Sequence, residues 1–186
     1  MAILTIKQVT FGAGIPKICV PITGRTREEI LTAAKQVRFL PCDVVEWRVD
    51  YYNDAKRLSR ILETLTELRQ ILDRQLLLFT FRTFAEGGQT ALGSYDYLWL
   101  NQKVAETGLP DLIDLEFAQN AERAESFVRF AHRNSVHVIL SCHDFEKTPS
   151  RDEMISLLVE MQKTQTDLVK LAVMPKGLQD VLTLMD

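Results

Sequence analysis

Two residues, one lysine and one histidine, occupy positions in or directly after apolar segments where their side chains could take part in catalysis. Lys170 interrupts the apolar run at residues 168–173, and His143 follows the apolar run at residues 136–142. A buried amine is costly unless it is paired or neutral, so a lysine inside an apolar strand suggests a reactive role. Such an amine can form an imine with a carbonyl group, and a neighbouring imidazole can move protons. The alternative is that Lys170 extends into solvent and His143 caps a helix.

Two other stretches place charged side chains near the ends of predicted strands. EWRVD at residues 46–50 puts Glu46 and Arg48 on one face of a strand and apolar side chains on the other. LLFTFR at residues 77–82 ends in Arg82, whose planar fork suits hydroxyl or carboxylate groups. EGG at residues 86–88 would let a loop approach a ligand closely. Alternatively, Glu46 and Arg48 could form an ion pair on a solvated face, and residues 77–88 could end in a turn that carries surface charges.

Strand and helix patterns alternate along the chain with a period of about 30 residues, which predicts parallel strands joined by helices. A short β-element is expected at residues 4–11. We predict strands at residues 17–22, 43–49, 75–82, 112–117, 136–142 and 168–173. We predict helices at residues 26–39, 54–72, 95–107, 121–133, 150–163 and from 178 onward. Capping-box signals start two of these helices, and no linker divides the pattern, so residues 1–186 are predicted to form one domain.

Two architectures fit this alternation. The strands of a doubly wound open sheet are apolar on both faces. A TIM barrel instead gathers polar groups at the carboxyl ends of its strands. Charged residues on one face near these ends favour the barrel: Glu46, Arg48, Arg82, Glu116 and Lys170. A complete barrel needs eight βα units and we count about six, so we predict an incomplete TIM-type (β/α)8 barrel.

The composition is that of an ordinary globular protein, with 46% hydrophobic and 25% charged residues. The net charge of −3 and the lack of Lys/Arg-rich blocks argue against nucleic acid and anionic membranes as partners. The 3 cysteines are far apart and form no CxxC motif, so we expect neither a disulfide framework nor a zinc site built from them. A reducing cytoplasm fits best. No signal peptide and no membrane span is predicted.

The remaining candidates have simpler interpretations. His132 falls in the last turn of a helix, where a cation complements the helix dipole. His137 lies near the start of its strand, at the end opposite the chemistry, and both histidines are predicted to be structural. Cys142 adjoins His143, but strand alternation points the two side chains apart, so no Cys/His dyad is expected. Met174, at a strand end, could touch a substrate.

Taken together, the charged stretches resemble the type I 3-dehydroquinate dehydratases of the shikimate pathway. The strings EWRVD, LLFTFR with EGG, HDFEKTP, and KLAVMP followed by DVLTL lie in family order over residues 15–186. Four such strings at matching separations are far more specific than any one of them. The resemblance implies a barrel hydro-lyase that acts on 3-dehydroquinate as a homodimer, without a metal or a cofactor.

The resemblance also implies a role for each site residue. Lys170 would form an imine, or Schiff base, with the C3 ketone of 3-dehydroquinate. His143 would remove the C2 proton and then protonate the departing C1 hydroxyl, giving 3-dehydroshikimate and water. Glu86 would hold the imidazole in its working tautomer and orientation. The residues expected to bind the ring hydroxyls are Glu46, Arg48 and Arg82.

Two features depart from the family pattern. Pro21 stands where relatives often have a serine near the substrate. Family members also continue through two more strands, which supply an arginine for the substrate carboxylate and a loop with a serine and a glutamine, whereas this sequence ends at Asp186. It could be a fragment, a natural truncation completed by another chain, or an inactive paralogue. The rival functions are therefore non-catalytic dehydroquinate binding, as in a pseudoenzyme, and another lysine-imine reaction of the aldolase kind.

Overall fold

The computed structural model describes residues 3–185; residues 1, 2 and 186 of the predicted domain lie outside this range. The strands are β1 (Leu4–Ile6), β2 (Val9–Phe11), β3 (Cys19–Ile22), β4 (Val44–Arg48), β5 (Leu76–Thr80), β6 (Leu112–Glu116), β7 (His137–Asp144) and β8 (Leu168–Val173). The helices are α1 (Arg27–Val37), α2 (Leu58–Ile71), α3 (Ser94–Ala105), α4 (Ala121–Arg133), α5 (Arg151–Lys163) and α6 (Leu178–Met185). Short 3-10 turns follow β4 and β5. Among the described residues, no helix is long and apolar enough to cross a membrane.

The main sheet has six parallel strands in sequential order, from β3 at one edge to β8 at the other. A doubly wound sheet would reverse its strand order at a switch point, so the sequential order excludes that alternative. The order is that of a TIM barrel, of which the described residues supply six strands. The prediction of an incomplete TIM-type barrel is confirmed.

Alternation along each strand gives the sheet an outer and an inner face. The outer face packs beneath the helices through side chains that are fully buried: Val45, Trp47, Phe79, Ile113 and Leu140. Burial of each valine, isoleucine, leucine or phenylalanine of this set contributes about 1.5–3 kcal/mol to the free energy of folding. Trp47 packs edge-on against Phe79, with 5.8 Å between ring centroids. Because a shift of one residue would expose this whole apolar set, the outer core fixes the register and directs the alternate, charged residues inward.

A β-hairpin covers the amino-terminal end of the barrel interior. β1 and β2 pair antiparallel through a tight turn in which Lys7 has a positive φ of 51°. Ile6 and Val9 of the hairpin are buried. They contact an apolar layer of the inner face formed by Val44, Leu76, Leu78 and Leu112. The alternation of β-branched residues predicted one short β-element at residues 4–11, whereas the structure has two strands joined by a turn.

Two helices begin at the capping boxes that the sequence predicts. Thr26 with Glu29 caps α1, and Ser150 with Glu153 caps α5, each through reciprocal side-chain and backbone hydrogen bonds. α2 begins at Leu58, later than the predicted residue 54, and its N-cap residue makes no side-chain capping bond. Side-chain caps are therefore the reliable local signals of helix starts in this chain.

β7 extends to Asp144, two residues beyond its predicted end. His143 is therefore part of the strand, while Ser150 caps the helix that follows. The alternative in which His143 caps a helix is wrong. Cys142 packs toward the outer core and His143 bonds to the carboxylate of Glu86 in the turn after β5, so their predicted divergence is confirmed.

Candidate active site

The inner face becomes polar toward the carboxyl ends of the strands, with Arg82 at the centre. Arg82 is only 4% exposed. Its Nη2 lies 2.9 Å from Oδ2 of Asp114, and its Nη1 lies 3.1 Å from Oε1 of Glu116. Nη1 also donates to Oγ of Ser141 at 3.0 Å and to Oε2 of Glu86 at 3.5 Å. Burial disfavours the charged guanidinium, but Asp114 and Glu116 outweigh it and raise the pKa of Arg82 above its ordinary value.

Glu116 is held by the segment that follows β5. The amide of Thr83 donates to Oε1 of Glu116 at 2.7 Å, and the Thr83 hydroxyl donates to Oε2 at 2.6 Å. Burial raises the pKa of Glu116, the two bonds from Thr83 lower it, and the nearby charge of Glu86 raises it again. The net pKa of Glu116 is raised above its ordinary value.

Glu86 and His143 form an acid–base pair. Nδ1 of His143 lies 2.8 Å from Oε2 of Glu86, and the two side chains are 8% and 6% exposed. This bond at Nδ1 leaves Nε2 of the imidazole for a substrate. The ring of Phe145 stacks on the imidazole, with 6.0 Å between centroids and 12° between planes. The imidazole is therefore oriented by a carboxylate and by an aromatic ring.

Two glycines allow the loop after β5 to turn Glu86 back toward the barrel. The amide of Gly88 donates to the carbonyl oxygen of Thr83 at 2.8 Å. A Cβ at Gly88 would lie 1.9 Å from the carbonyl oxygen of Arg82, and a Cβ at Gly87, where φ is 81°, would lie 2.6 Å from the Phe145 ring. At these two positions the loop closely approaches the protein's own backbone and a neighbouring ring.

Lys170 lies on β8 directly beside Ser141 of β7. Paired residues of parallel strands face the same side, so Lys170 shares the inner face with Ser141 and with His143, which is two residues further along β7. From strand spacing and rise, the Cα atoms of Lys170 and His143 are roughly 8 Å apart. Lys170 is partly buried. The two side chains can therefore reach one small molecule placed between them.

Glu46 and Arg48 occupy the inner face of β4. Oε1 of Glu46 accepts a hydrogen bond from the Thr80 hydroxyl at 2.8 Å. Arg48 makes a bidentate ion pair with Asp50, with distances of 2.8 Å from Nε and 2.9 Å from Nη2. Asp50 is buried and also accepts from the amide of Gln89 at 3.1 Å. Asp50 thus orients Arg48 and compensates its charge.

Cys19, on edge strand β3, has a thiol whose pKa is influenced by two of the predicted site residues. The pKa of its thiol is raised to about 12, mainly by desolvation and then by Glu46, while Lys170 acts in the opposite direction. Desolvation acts here although Cys19 is exposed along the open edge of the sheet.

The structure joins three of the predicted site residues by direct contacts: Glu86 with both Arg82 and His143. Lys170, Glu46 and Arg48 share the inner face with them through strand register. The sequence analysis missed three members of the cluster, which are Asp114, Ser141 and Tyr97. The hydroxyl of Tyr97 accepts from the amide of Glu116 at 2.9 Å. The acidic spacing in LIDLE, residues 112–116, could have revealed Asp114, whereas a hydroxyl in an apolar segment gives no such signal.

The fold and this site define an α/β-barrel enzyme with acid–base groups at the carboxyl ends of its strands. The family model described as Type I 3-dehydroquinase matches residues 18–186. The chain belongs to this family, the type I 3-dehydroquinate dehydratases, which are hydro-lyases. The resemblance predicted from the sequence is confirmed.

Named relatives match nearly the whole chain. The 3-dehydroquinate dehydratase of Listeria monocytogenes serotype 4b (strain F2365) is 44% identical over 183 residues, which are 98% of this chain and 73% of that protein. The solved type I enzyme from Clostridium difficile, with covalently modified comenic acid, is 42% identical with a TM-score of 0.96, covering 99% of this chain and 73% of that one. The structure from Enterococcus faecalis is 39% identical with a TM-score of 0.94, covering 98% of this chain and 76% of that one.

Proposed function

We propose that this chain dehydrates 3-dehydroquinate to 3-dehydroshikimate through an imine on Lys170. The observation that carries the proposal is the position of Lys170 beside β7, on the inner face shared with His143, with the two Cα atoms roughly 8 Å apart. Nδ1 of His143 is bonded to Glu86, so its Nε2 can serve the reaction. Family membership supplies the substrate.

Lys170 acts as the nucleophile. Its unprotonated amine attacks the C3 carbonyl of 3-dehydroquinate, water leaves, and a protonated imine forms. This cation draws electrons from the adjacent carbon, so a proton at C2 is lost far more easily than from a plain ketone. The Clostridium difficile relative is described with covalently modified comenic acid, and a covalent adduct is what an imine-forming lysine would give.

His143 moves the proton. Its Nε2 takes the C2 proton and gives an enamine, and the resulting imidazolium, stabilised by Glu86, then protonates the C1 hydroxyl as it leaves as water. Hydrolysis of the conjugated imine releases 3-dehydroshikimate and restores the amine of Lys170. Glu86 does not touch the substrate in this scheme; it positions the imidazole and stabilises its charged form.

Glu46, Arg48 and Arg82 are proposed to act on the substrate hydroxyls and on the electric field of the site. The ion pair with Asp50 presents Arg48 in a fixed orientation. Arg82 is already bound by internal carboxylates, so its contribution is mainly to hold the cluster and to offset the charge of Glu86. Pre-oriented groups of this kind stabilise developing charge without reorganising.

We further propose a homodimer in a reducing compartment. Family membership supports the assembly, and the three cysteines, all free in the described residues, suit the cytoplasm. Light scattering of the purified chain tests the assembly, with a mass of two chains expected and a mass of one chain contradicting it.

The function is tested by following the ultraviolet absorbance of the conjugated product with the wild-type chain and three variants. Lys170→Ala should abolish turnover, and His143→Gln should lower it strongly while leaving imine formation measurable. Lys163→Ala, which removes an exposed lysine of α5, is the control and should keep wild-type turnover. Turnover that survives Lys170→Ala would refute the proposed mechanism.

A further inference from the structure

Three potential metal ligands meet at the end of the sheet opposite the candidate active site. His137 is the first residue of β7, Asp167 directly precedes β8, and His132 lies in the last turn of α4. Nε2 of His132 lies 2.7 Å from Oδ2 of Asp167, and Nδ1 of His137 lies 2.8 Å from Oδ1. One ligand atom from each residue can be chosen so that all three lie within 4.8 Å of one another.

The carboxylate at the centre of this cluster is held in place by the backbone. The amide of Val138 donates to Oδ2 of Asp167 at 2.8 Å. The neighbouring Thr166 hydroxyl donates to the carbonyl oxygen of Val138 at 2.9 Å, which ties the same turn to β7. The orientation of Asp167 therefore does not depend on the histidines alone. Partners that orient a ligand in this way are typical of metal sites.

The histidines of the cluster are accessible from solvent, whereas its carboxylate is largely buried. The side chains of His132 and His137 are 39% and 32% exposed, whereas that of Asp167 is 10% exposed. An ion could thus reach the imidazoles and would find the carboxylate already desolvated.

We propose that His132, His137 and Asp167 form a binding site for one divalent transition-metal ion, Zn²⁺ being the best match. Two imidazoles and one carboxylate are ligands that suit Zn²⁺ and its neighbours Co²⁺ and Ni²⁺, while Ca²⁺ and Mg²⁺ prefer sets made only of oxygen. Water would complete the tetrahedral coordination.

The cluster must rearrange locally to bind such an ion. Ligands about 2.1 Å from one metal ion lie about 3.0–3.4 Å apart, depending on the coordination geometry. The two nitrogen–oxygen distances of 2.7 and 2.8 Å would have to open by a few tenths of an ångström. Any pair of ligand atoms near the 4.8 Å limit of the cluster would have to approach by more than an ångström. Each neutral imidazole would move its proton to the other ring nitrogen, and a protonated imidazole would release one proton to solvent.

The position of the site indicates a stabilising role. The ion would join the end of α4 to the starts of β7 and β8, and β8 is an edge strand that carries Lys170. At the amino-terminal ends of barrel strands, such groups serve stability rather than chemistry. A ligand that binds only the folded chain stabilises it by mass action.

Spectroscopic titration with Co²⁺ tests the site. The wild-type chain, freed of metal with a chelator, should bind one Co²⁺ per chain, with visible bands of a nitrogen and oxygen ligand set and without the intense ultraviolet bands of thiolate ligands. His132→Gln, which changes an exposed side chain, should weaken binding about ten-fold or more. His143→Gln removes the chain's only histidine outside the cluster and should leave affinity unchanged.

A second measurement guards against misfolded variants. Zn²⁺ should raise the Tm of the wild-type chain more than that of His132→Gln, while circular dichroism shows that both are folded. Asp167→Asn should behave like His132→Gln in the titration. No binding by the wild-type chain, thiolate bands in its Co²⁺ spectrum, or equal affinity of His132→Gln and wild type would each overturn the proposal.

Discussion

The carboxylate of Glu86 has two partners, the imidazole of His143 at 2.8 Å and the guanidinium of Arg82 at 3.5 Å. The shorter bond sets which nitrogen of His143 carries its proton, and the longer one compensates the buried negative charge. A single residue therefore couples the proton carrier to the charged cluster beneath it. This coupling depends on the tight loop of Gly87 and Gly88, because a Cβ at Gly88 would collide with the backbone of Arg82 and Gly87 has a positive φ of 81°.

Glu86→Gln should lower kcat about 10²- to 10⁴-fold, because the amide can hold the wrong tautomer of His143 and cannot stabilise its cation. KM should change little, since Glu86 does not contact the substrate in the proposed scheme. Steady-state kinetics measures both constants. Glu86→Asp should recover part of the loss, and Glu122→Gln, an exposed change on α4, should have no effect. Wild-type kcat in Glu86→Gln would show that the pair is not used.

Arg82→Met should destabilise the fold by about 3–5 kcal/mol, because it leaves the buried carboxylates of Asp114 and Glu116 without their cation. Urea unfolding followed by circular dichroism measures this loss. Arg60→Met, which breaks an exposed pair with Glu63, should cost less than about 1 kcal/mol. Equal losses of unfolding free energy in the two variants would mean that the buried ion pairs of Arg82 stabilise the fold no more than an exposed pair does.

At the scale of single residues, site residues could be predicted from the sequence where a charge interrupts an apolar pattern. Residues whose polar group does not stand out from its apolar surroundings were missed. Lys170 and Glu46 were found because a charge inside a strand is unusual. The Glu86–His143 bond joins residues 57 positions apart, so only the family resemblance pointed to it. Ser141 and Tyr97 were missed because their hydroxyl groups gain a role only when the strands have been assembled around Arg82.

The helix starts show how local hydrogen bonds define an element. In α5, Glu153 accepts from the amide of Ser150 at 2.8 Å and from its hydroxyl at 2.6 Å. These bonds, the hydroxyl bond first, lower the pKa of Glu153. A negative charge at this end of a helix also complements the helix dipole.

Glu153→Gln should therefore lower the Tm at pH 7, and the difference from wild type should shrink as the pH falls. A carboxyl whose pKa is lowered by folding contributes stability above its unfolded pKa of about 4.3, and that stability is lost as pH falls through the lower folded value. Thermal unfolding at pH 7 and near pH 3.5 measures the difference. Glu160→Gln, near the other end of α5, should not lower the Tm. A difference that stays constant with pH would contradict this account.

Elements with strong local signals were predicted closely, and those defined by tertiary contacts less so. The bounds of α4 and β8 agree with the prediction because apolar periodicity and polar flanks coincide there. The hairpin turn at Lys7 was missed because its positive φ is favoured by the pairing of β1 with β2, and no residue type announces it. β7 runs two residues past its apolar run because β8 continues to pair with it at His143 and Asp144.

At the scale of the whole molecule, two layers inside the barrel divide stability from chemistry. The amino-terminal layer is apolar and is covered by the hairpin, whereas the carboxyl-terminal layer contains the buried charges. Ion pairs tie the hairpin to the sheet, since Nζ of Lys7 lies 2.7 Å from Oδ1 of Asp111. Asp111 also binds Arg69 of α2 at 2.6 Å.

Ile6→Ala should cost about 2–5 kcal/mol, because Ile6 is 6% exposed and its removal leaves a cavity above the inner apolar layer. Urea unfolding again provides the measurement. Ile3→Ala, at a position that is 66% exposed, is the matched control and should change stability by less than about 0.5 kcal/mol. Equal effects of the two changes would mean that the hairpin does not close the barrel interior.

The architecture followed from the βα period and from the polar face of the strands. The apolar layer beneath the hairpin could not be predicted from the sequence, because nothing in residues 4–11 indicates which end of the barrel they cover. The His132, His137 and Asp167 cluster was also beyond the sequence, which predicts structural roles for both histidines. The strand register and the fold of the turn before β8 are what bring these three side chains together.

The central claim is that Lys170 forms the covalent intermediate, and borohydride reduction tests it most directly. The wild-type chain is treated with borohydride in the presence of 3-dehydroquinate, digested, and analysed by mass spectrometry of its peptides. We predict a reduced adduct on the peptide that contains Lys170, and no adduct in Lys170→Ala. An adduct on another lysine, or none in a folded wild-type sample, would contradict the account.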